Sequence, residues 1–168
     1  MDRSTLREAA GAAVFSGTSA ALLSAGALAI ACKVKEDSAL APLNGPSQWL
    51  WGESEARTRR IDVAHTLVGY VIHHASALLW AGLFETLLAR QPAPRSVPRV
   101  LGTAAGVTGL AYVVDYYVTP PRLRPGFEKH VGSASLFGVY AAVALGLAGA
   151  ALWRQRRSKA RATFDLDL

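Results

Sequence analysis

Hydrophobic residues along this chain are gathered into four long runs, and most of the charged residues lie in the stretches between and after them. The runs cover residues 9–32, 63–89, 100–118 and 131–153. A helix needs about 20 apolar residues to cross a hydrocarbon layer of about 30 Å, and each run has about that length. The pattern therefore predicts four membrane-spanning helices.

The predicted fold class is all-α: a polytopic membrane protein whose four helices form one bundle, with 1–168 as a single membrane domain. The longest connection, residues 33–62, follows the first helix. Within it, Asn44-Gly45-Pro46 is typical of a turn, and Trp49 and Trp51 suit the headgroup region. We predict a short interfacial or re-entrant segment there.

The first run raises the question of a cleaved signal, because it follows a weakly basic start and ends at Cys32. Its apolar stretch of 24 residues exceeds the roughly 7 to 15 residues of a signal core. We interpret it as an uncleaved first helix. Cys32 is the single cysteine, so no disulfide can form within the chain.

The composition agrees with a membrane protein, since 51% of the residues are hydrophobic and the formal charge is +6. We assign the excess charge to anchors beside the spans, because no basic stripe is interleaved with aromatics as nucleic-acid binding would require. With the termini on one side, that side holds ten cations and the other eight. This asymmetry favours cytoplasmic termini.

Small residues recur at intervals of four on three of the predicted helices. Such spacing places them on one helical face, where two backbones can approach closely. The sequence predicts that these faces pack against helices of the same bundle or, alternatively, of a separate subunit or second copy. The glycines concerned are Gly17, Gly102, Gly106, Gly138 and Gly146.

Two acids, Glu85 and Asp115, fall inside the predicted spans, where an ionised carboxylate needs a partner or water. Glu85 lies near the end of its span, five residues before Arg90. We interpret it as pairing with Arg90 or extending toward the interface.

Three residues that could bind a metal or transfer protons are predicted to lie close together at the membrane face opposite the termini. His65 begins the second helix, Asp115 lies in the last turn of the third, and His130 precedes the fourth. Tyr112 and Tyr116 accompany Asp115 on the third helix.

His73 shares a helical face with His65 but lies about 12 Å deeper, too far for the two to bind one ion. A single metal would therefore need His65, Asp115 and His130, and no recognised ligand spacing supports that set.

Three interpretations of this polar set stay open. The residues could hydrogen-bond one another and the loop backbone, hold a metal or haem, or form a quinone pocket or proton relay. We do not favour haem or metal, because bis-histidine ligation needs two facing imidazoles at matched depth.

The chain also resembles a family. Its second span carries His65, Gly69, His73 and Ser76 before Trp80-Ala81, and a helix with Gly102 and Gly106, a Thr119-Pro120 exit and a glycine-rich fourth helix follow. These features resemble the YagU-like group of small bacterial inner-membrane proteins, although the first loop departs from that type in length and content.

Two further stretches, 44–52 and 115–120, look like segments of related proteobacterial families of unknown function. The resemblance implies a four-helix inner-membrane fold and carries no established catalytic residues.

Taken together, the sequence predicts a non-enzymatic membrane protein. The expected role is an accessory, assembly or stabilising component that packs against other membrane helices through its small-residue faces. The alternative is a protein that handles haem, metal, quinone or protons through a site of His and Asp residues.

Overall fold

The computed structural model describes residues 3–36 and 38–164, and the regular structure within these ranges is entirely helical. A π-helical turn, Val63–Leu67, leads into α3, and another, Val114–Val118, follows α4. The α-helices are α1 (Arg3–Glu36), α2 (Gln48–Trp51), α3 (Val68–Ala89), α4 (Val97–Val113) and α5 (Ser133–Phe164).

Four of these helical segments are long and apolar enough to cross a membrane, which confirms the predicted all-α class and its four spans. They are Arg7–Lys33, Val63–Ala89, Val97–Val118 and Ser133–Arg161. Helices α1 and α5 continue beyond the predicted limits of 9–32 and 131–153. Their charged ends are rich in Arg, Lys and Glu, which favour helix once the hydrocarbon has been crossed.

The bundle is arranged so that α1 and α4 each pack against both α3 and α5. Its interior is divided into two apolar clusters, one near each membrane face. The cluster toward the termini contains Ala20, Ala81, Phe84, Leu88, Val100, Ala104, Val107, Leu147, Ala148 and Ala151. The cluster toward the long loop contains Leu28, Cys32, Ala41, Phe127, Val131, Leu136 and Val139.

Close helix approach depends on two of the predicted glycines. A Cβ on Gly17 would lie 2.9 Å from the Cα of Leu78, where α1 crosses α3. A Cβ on Gly146 would lie 2.5 Å from the Cα of Ala20, where α5 crosses α1. Both contacts are with backbone, so a side chain at either position would push the helices apart.

The other predicted packing glycines are placed differently. Each of them is exposed, and a Cβ built on it would meet no atom within 4 Å. Within this chain their faces point away from the bundle, which corrects the prediction of intramolecular packing. These glycines are Gly102, Gly106 and Gly138.

The outer surface of the spans is apolar. Leu79 is 71% exposed, Phe137 78% and Ile30 70%. A surface of this kind matches lipid rather than water, because exposed apolar side chains on all four spans would otherwise form patches far larger than soluble proteins carry.

The long first loop folds back into the bundle as a cap. Its 3₁₀-helical segment Ala41–Ser47 is buried throughout. Asn44 holds it in place: its Nδ2 donates to the carbonyls of Thr58 (2.7 Å) and Arg60 (2.9 Å), and its Oδ1 accepts from Thr66 Oγ1 (2.7 Å). The amide therefore fastens the cap to the start of the second span.

Glycines allow the cap to approach its neighbours. A Cβ on Gly45 would lie 2.7 Å from the Pro125 carbonyl oxygen, and a Cβ on Gly69 would overlap the Leu43 carbonyl. Gly126 adopts φ +77°, a conformation that side chains rarely tolerate.

The tip of the cap is exposed, as an interfacial segment requires: Trp49 is 39% and Trp51 51% accessible. The indole of Trp51 donates to the Ala64 carbonyl at 2.8 Å.

Candidate functional site

A cavity of about 60 Å³ lies at the loop end of the bundle, between α3, α4, α5 and the loop cap. Its wall is mainly apolar and aromatic. The polar residues of its lining come from three elements: His73 and Ser76 from α3, Asp115 from the turn after α4 and Tyr140 from α5. The remaining lining is Pro46, Trp49, Ile72, Ala77, Trp80, Ala111, Leu123, Pro125, Phe127, Val139 and Val143. We call this space the capped cavity.

Asp115 and Tyr140 form the best-defined polar contact on the cavity wall. The Tyr140 hydroxyl donates to Asp115 Oδ2 at 2.6 Å. Tyr112 packs edge-on against the Tyr140 ring at a centroid distance of 5.2 Å, and Tyr116 lies 5.2 Å from Tyr112. The aromatic neighbours limit the rotation of the Tyr140 ring, so the hydroxyl is held toward the carboxylate.

His73 is buried and contacts α1 through one ring nitrogen. Nε2 lies 3.0 Å from Ser24 Oγ and 3.3 Å from the Ala21 carbonyl, and the Ser24 hydroxyl itself donates to Ala20 O at 2.8 Å. A carbonyl oxygen only accepts, so this network places the imidazole proton on Nε2. In the neutral ring Nδ1 is then an acceptor. Phe127 packs edge-on against the same ring at 5.5 Å.

His65 has separate partners outside the capped cavity. Its Nδ1 lies 2.8 Å from Asp62 Oδ1, and its Nε2 lies 3.2 Å from Glu55 Oε2. Its backbone N–H also donates to Asp62 Oδ1 at 2.8 Å. This backbone bond, followed by the side-chain bond, lowers the pKa of Asp62 below its usual 3.8. The arrangement caps the π-helical turn that begins the second span.

His130 is likewise engaged elsewhere, with Nε2 2.7 Å from the Ala56 carbonyl in the first loop. The structure thus distributes the three residues predicted to form one ligand set: His65 faces acids, Asp115 faces Tyr140 and His130 faces a backbone carbonyl. Among the described residues, no group of three His, Cys, Asp or Glu side chains is placed to hold a metal ion. Chain topology brings these residues to one end of the bundle, but helix rotation gives each a different partner.

The two predicted tyrosines also differ in position. Tyr112 is 36% exposed, whereas Tyr116 packs against the apolar cluster at the loop end. His74, next to His73 on α3, also contacts α1, with Nε2 3.1 Å from Thr18 Oγ1.

Sequence reasoning missed the partners of the polar residues. Tyr140 and Ser24 lie in apolar spans, and no sequence motif around them indicated that they contact Asp115 and His73. Glu85 is buried, and instead of pairing with Arg90 it pairs with Arg154, whose Nη2 lies 2.6 Å from Oε1. The Ser16 hydroxyl also donates to Glu85 Oε1, while Arg154 Nη1 donates to Ser16 Oγ at 2.7 Å.

Matched depth was a signal that could have found this pair. Glu85 lies 22 residues after Val63 (85 − 63), and Arg154 lies 21 residues after Ser133 (154 − 133), with both spans beginning at the same face. At 1.5 Å per residue the two charges are therefore at nearly equal depth.

The fold and this site define a four-span helical membrane protein with a cavity that the first loop lines at one end. Comparison of the chain with protein-family models, with curated proteins and with solved structures found no match.

Proposed function

We propose that this protein binds the polar head of a lipid-soluble small molecule in the capped cavity, and that it does so in a bacterial inner membrane with cytoplasmic termini. The observation that carries the proposal is that His73, Asp115 and Tyr140 border one apolar cavity although they come from different helical segments.

The composition of the wall supports a ligand with a planar ring. Ligand sites are commonly apolar and aromatic with a few polar groups that fix orientation. Here Trp49, Trp80 and Phe127 supply aromatic faces, and the Asp115 carboxylate, the Tyr140 phenolic oxygen and the imidazole Nδ1 supply acceptors for ring hydroxyls. The reduced, quinol form of a quinone-type head has this chemistry.

The size and position of the cavity agree with a head group rather than a whole lipid. At 10–15 Å³ per water, the space of about 60 Å³ corresponds to roughly four to six waters. Trp49 and Leu123, which border it, are 39% and 41% exposed. The cavity therefore reaches the surface near the interface, where an apolar tail can remain in lipid.

Equilibrium binding of the reduced quinol form of decylbenzoquinone to the full chain in nanodiscs tests the proposal. We expect saturable binding that Asp115→Asn and Tyr140→Phe each weaken about tenfold, the effect of one lost hydrogen bond. Tyr112→Phe is the matched control: Tyr112 lies on the same span as Asp115 but outside the cavity wall, and the Phe variant keeps the ring that packs against Tyr140, so affinity should be unchanged.

Two results would contradict the proposal: partitioning without saturation, or equal affinity in wild type and the cavity variants. Absorption spectra with and without reductant, together with elemental analysis, address the haem and metal alternatives on the same sample. A haem band or a stoichiometric metal would replace the quinone-type ligand.

A second candidate function, an accessory or assembly component without enzymatic activity, is favoured by one face of α4. Gly102, Gly106 and Gly109 are all exposed there, with open space above each. A shallow groove of this kind lets another membrane helix approach closely.

Affinity purification in mild detergent tests this role. Wild type should recover a stoichiometric partner or a second copy of the chain, and the double variant Gly102→Leu, Gly106→Leu should lose it. Gly149→Leu, at an exposed glycine of α5, is the control. Recovery of a lone monomer from all three would exclude the role.

A further inference from the structure

A second cavity lies at the opposite end of the bundle, where both termini are. It is an open cleft of about 840 Å³ between α1, the ends of α3 and α5, and the connection from α3 to α4. We call it the terminal cleft. Its charged lining consists of Glu8, Glu85, Arg95, Arg154 and Lys159.

The deepest charges of the terminal cleft neutralise each other. Glu85 and Arg154 form the ion pair described above, and Arg154 Nη1 also donates to the Ala12 carbonyl at 3.2 Å. These contacts use both terminal nitrogens of the guanidinium. The pair therefore forms a neutral, rigid floor.

Arg95 is held on the wall in a way that leaves part of its guanidinium uninvolved. Its Nε donates to the Leu88 carbonyl at 2.8 Å, its backbone N–H donates to Gln155 Oε1 at 3.1 Å, and Gln155 Nε2 donates back to Arg95 O at 2.9 Å. The terminal nitrogens of Arg95 take no part in these bonds. They are positioned donors on a fixed backbone.

Lys159 supplies a second cation one turn beyond Gln155 on α5. Among the described lining residues, Glu8 is the remaining carboxylate, so the groups above the neutral floor carry a net charge of +1. Three more cations and no acid lie beside these residues on the same helix: Arg156, Arg157 and Arg161. The cleft thus opens into a positive electrostatic potential.

Aromatic contacts place this cleft at the level of lipid headgroups. Phe15 and Trp153 stack with centroids 5.1 Å apart, and the Arg157 guanidinium lies 4.2 Å from the Trp153 ring. Tryptophan and arginine in this arrangement are typical of the membrane–water interface. Basic pockets between helices at this level suit anionic lipid heads.

We infer that the terminal cleft binds the phosphate-bearing head of an anionic phospholipid, with Arg95 and Lys159 contacting the phosphate. Free phosphate offers the same kind of oxygen acceptors, but it lacks the acyl chains that the apolar lining residues Ala9, Ala12 and Leu88 can contact. This site is at the opposite end from the capped cavity and does not depend on the function proposed for it.

Native mass spectrometry of the full chain, titrated with phosphatidylglycerol or phosphatidylcholine, tests the inference. We expect tighter binding of phosphatidylglycerol at one site, and Lys159→Gln should weaken it about fivefold, the usual effect of one interfacial cation. Arg156→Gln removes an equal charge from the same helix outside the cleft lining, and should have a much smaller effect.

Arg95→Gln should weaken binding similarly, but it also removes the bond to Leu88. Lys159→Gln is therefore the variant that reports on lipid binding without this structural change, because Lys159 is exposed. The inference is overturned if the two lipids bind equally, if Arg156→Gln and Lys159→Gln lose the same affinity, or if inorganic phosphate competes as strongly as phosphatidylglycerol does.

Discussion

Glu85 on α3 and Arg154 on α5 join two spans through an ion pair of 2.6 Å, and the carboxylate is 7% and the guanidinium 27% exposed. A charged pair at the edge of the hydrocarbon region is costly unless its hydrogen bonds are satisfied. Here Ser16 on α1 contacts both partners, so three helices meet at one polar point.

Removing the carboxylate should destabilise the bundle. Glu85→Gln leaves the Arg154 charge without its partner, and we expect a loss of up to about 3 kcal/mol, the low end for buried pairs because Arg154 is partly exposed. Unfolding in detergent followed by circular dichroism measures this. The double variant Glu85→Gln, Arg154→Gln should recover part of the loss, and a double variant less stable than the single one would contradict the assignment.

The crossing of α1 and α5 should be sensitive to one methyl group. Gly146→Ala places a Cβ 2.5 Å from the Cα of Ala20, and overpacking of this kind costs about 1–3 kcal/mol. Gly149→Ala, on the same helix, meets nothing within 4 Å and serves as the control. Thermal unfolding of the two variants side by side should show a lower Tm for Gly146→Ala alone.

The Asp62 carboxylate, which accepts a hydrogen bond at the start of the second span, should make the stability of the protein depend on pH at acidic values. The backbone N–H of His65 lowers the pKa of Asp62 below 3.8, so the carboxylate stabilises the folded state above that pH. The contribution should disappear as pH falls through the lowered pKa of the folded state. Asp62→Asn, which retains capping ability, should therefore be less stable than wild type at pH 5 and approach it near pH 3.

Thermal unfolding across that pH range provides the measurement. Glu53→Gln, which removes an exposed acid from the same loop, is the comparison and should follow the wild-type curve. If Tm depended on pH in the same way for Asp62→Asn and wild type, the Asp62 carboxylate would not stabilise the start of the second span as proposed.

The orientation proposed for the chain is open to direct test. In a Cys32→Ala background, Ser158→Cys and Ser54→Cys place single exposed thiols at opposite ends of the bundle. We expect an impermeant maleimide to label Ser54→Cys in intact spheroplasts, and Ser158→Cys only in inverted vesicles. The reverse pattern would place the termini outside the cytoplasm.

The loop cap should depend on Asn44. Asn44→Leu keeps the approximate volume but removes three hydrogen bonds to the carbonyls and hydroxyl of residues 58, 60 and 66. The two carbonyls and the hydroxyl would lose a hydrogen-bond partner, and each such loss costs about 1–3 kcal/mol of folding free energy when the group is buried. Limited proteolysis within the first loop should become faster, and unchanged cleavage would contradict the anchoring role.

The sequence predicted at which end of the bundle the polar residues lie, but it did not predict which side chains they contact. Alternation of spans and loops places His65, Asp115 and His130 toward one end of the bundle, because neighbouring spans must run antiparallel. Their partners depend on how each helix is rotated about its axis. In a membrane both the lipid-facing and the protein-facing sides of a helix are apolar, so the hydrophobic periodicity that reveals rotation in soluble proteins is weak.

The weak hydrophobic periodicity also explains why the sequence did not show which glycines lie at helix crossings. Spacing by four places Gly102 and Gly106 on one face as clearly as it places Gly17 and Gly146, yet only the latter two lie where helices cross.

The sequence by itself determined the four spans, the all-α class and the long loop with its interfacial tryptophans, because length and hydrophobicity decide whether a segment can cross lipid. Only the tertiary structure decided that Glu85 meets Arg154, that Tyr140 meets Asp115 and that His73 shares their cavity. Those pairings join residues 69, 25 and 42 positions apart (154 − 85, 140 − 115 and 115 − 73), and they depend on helix rotation and crossing, which local sequence does not encode.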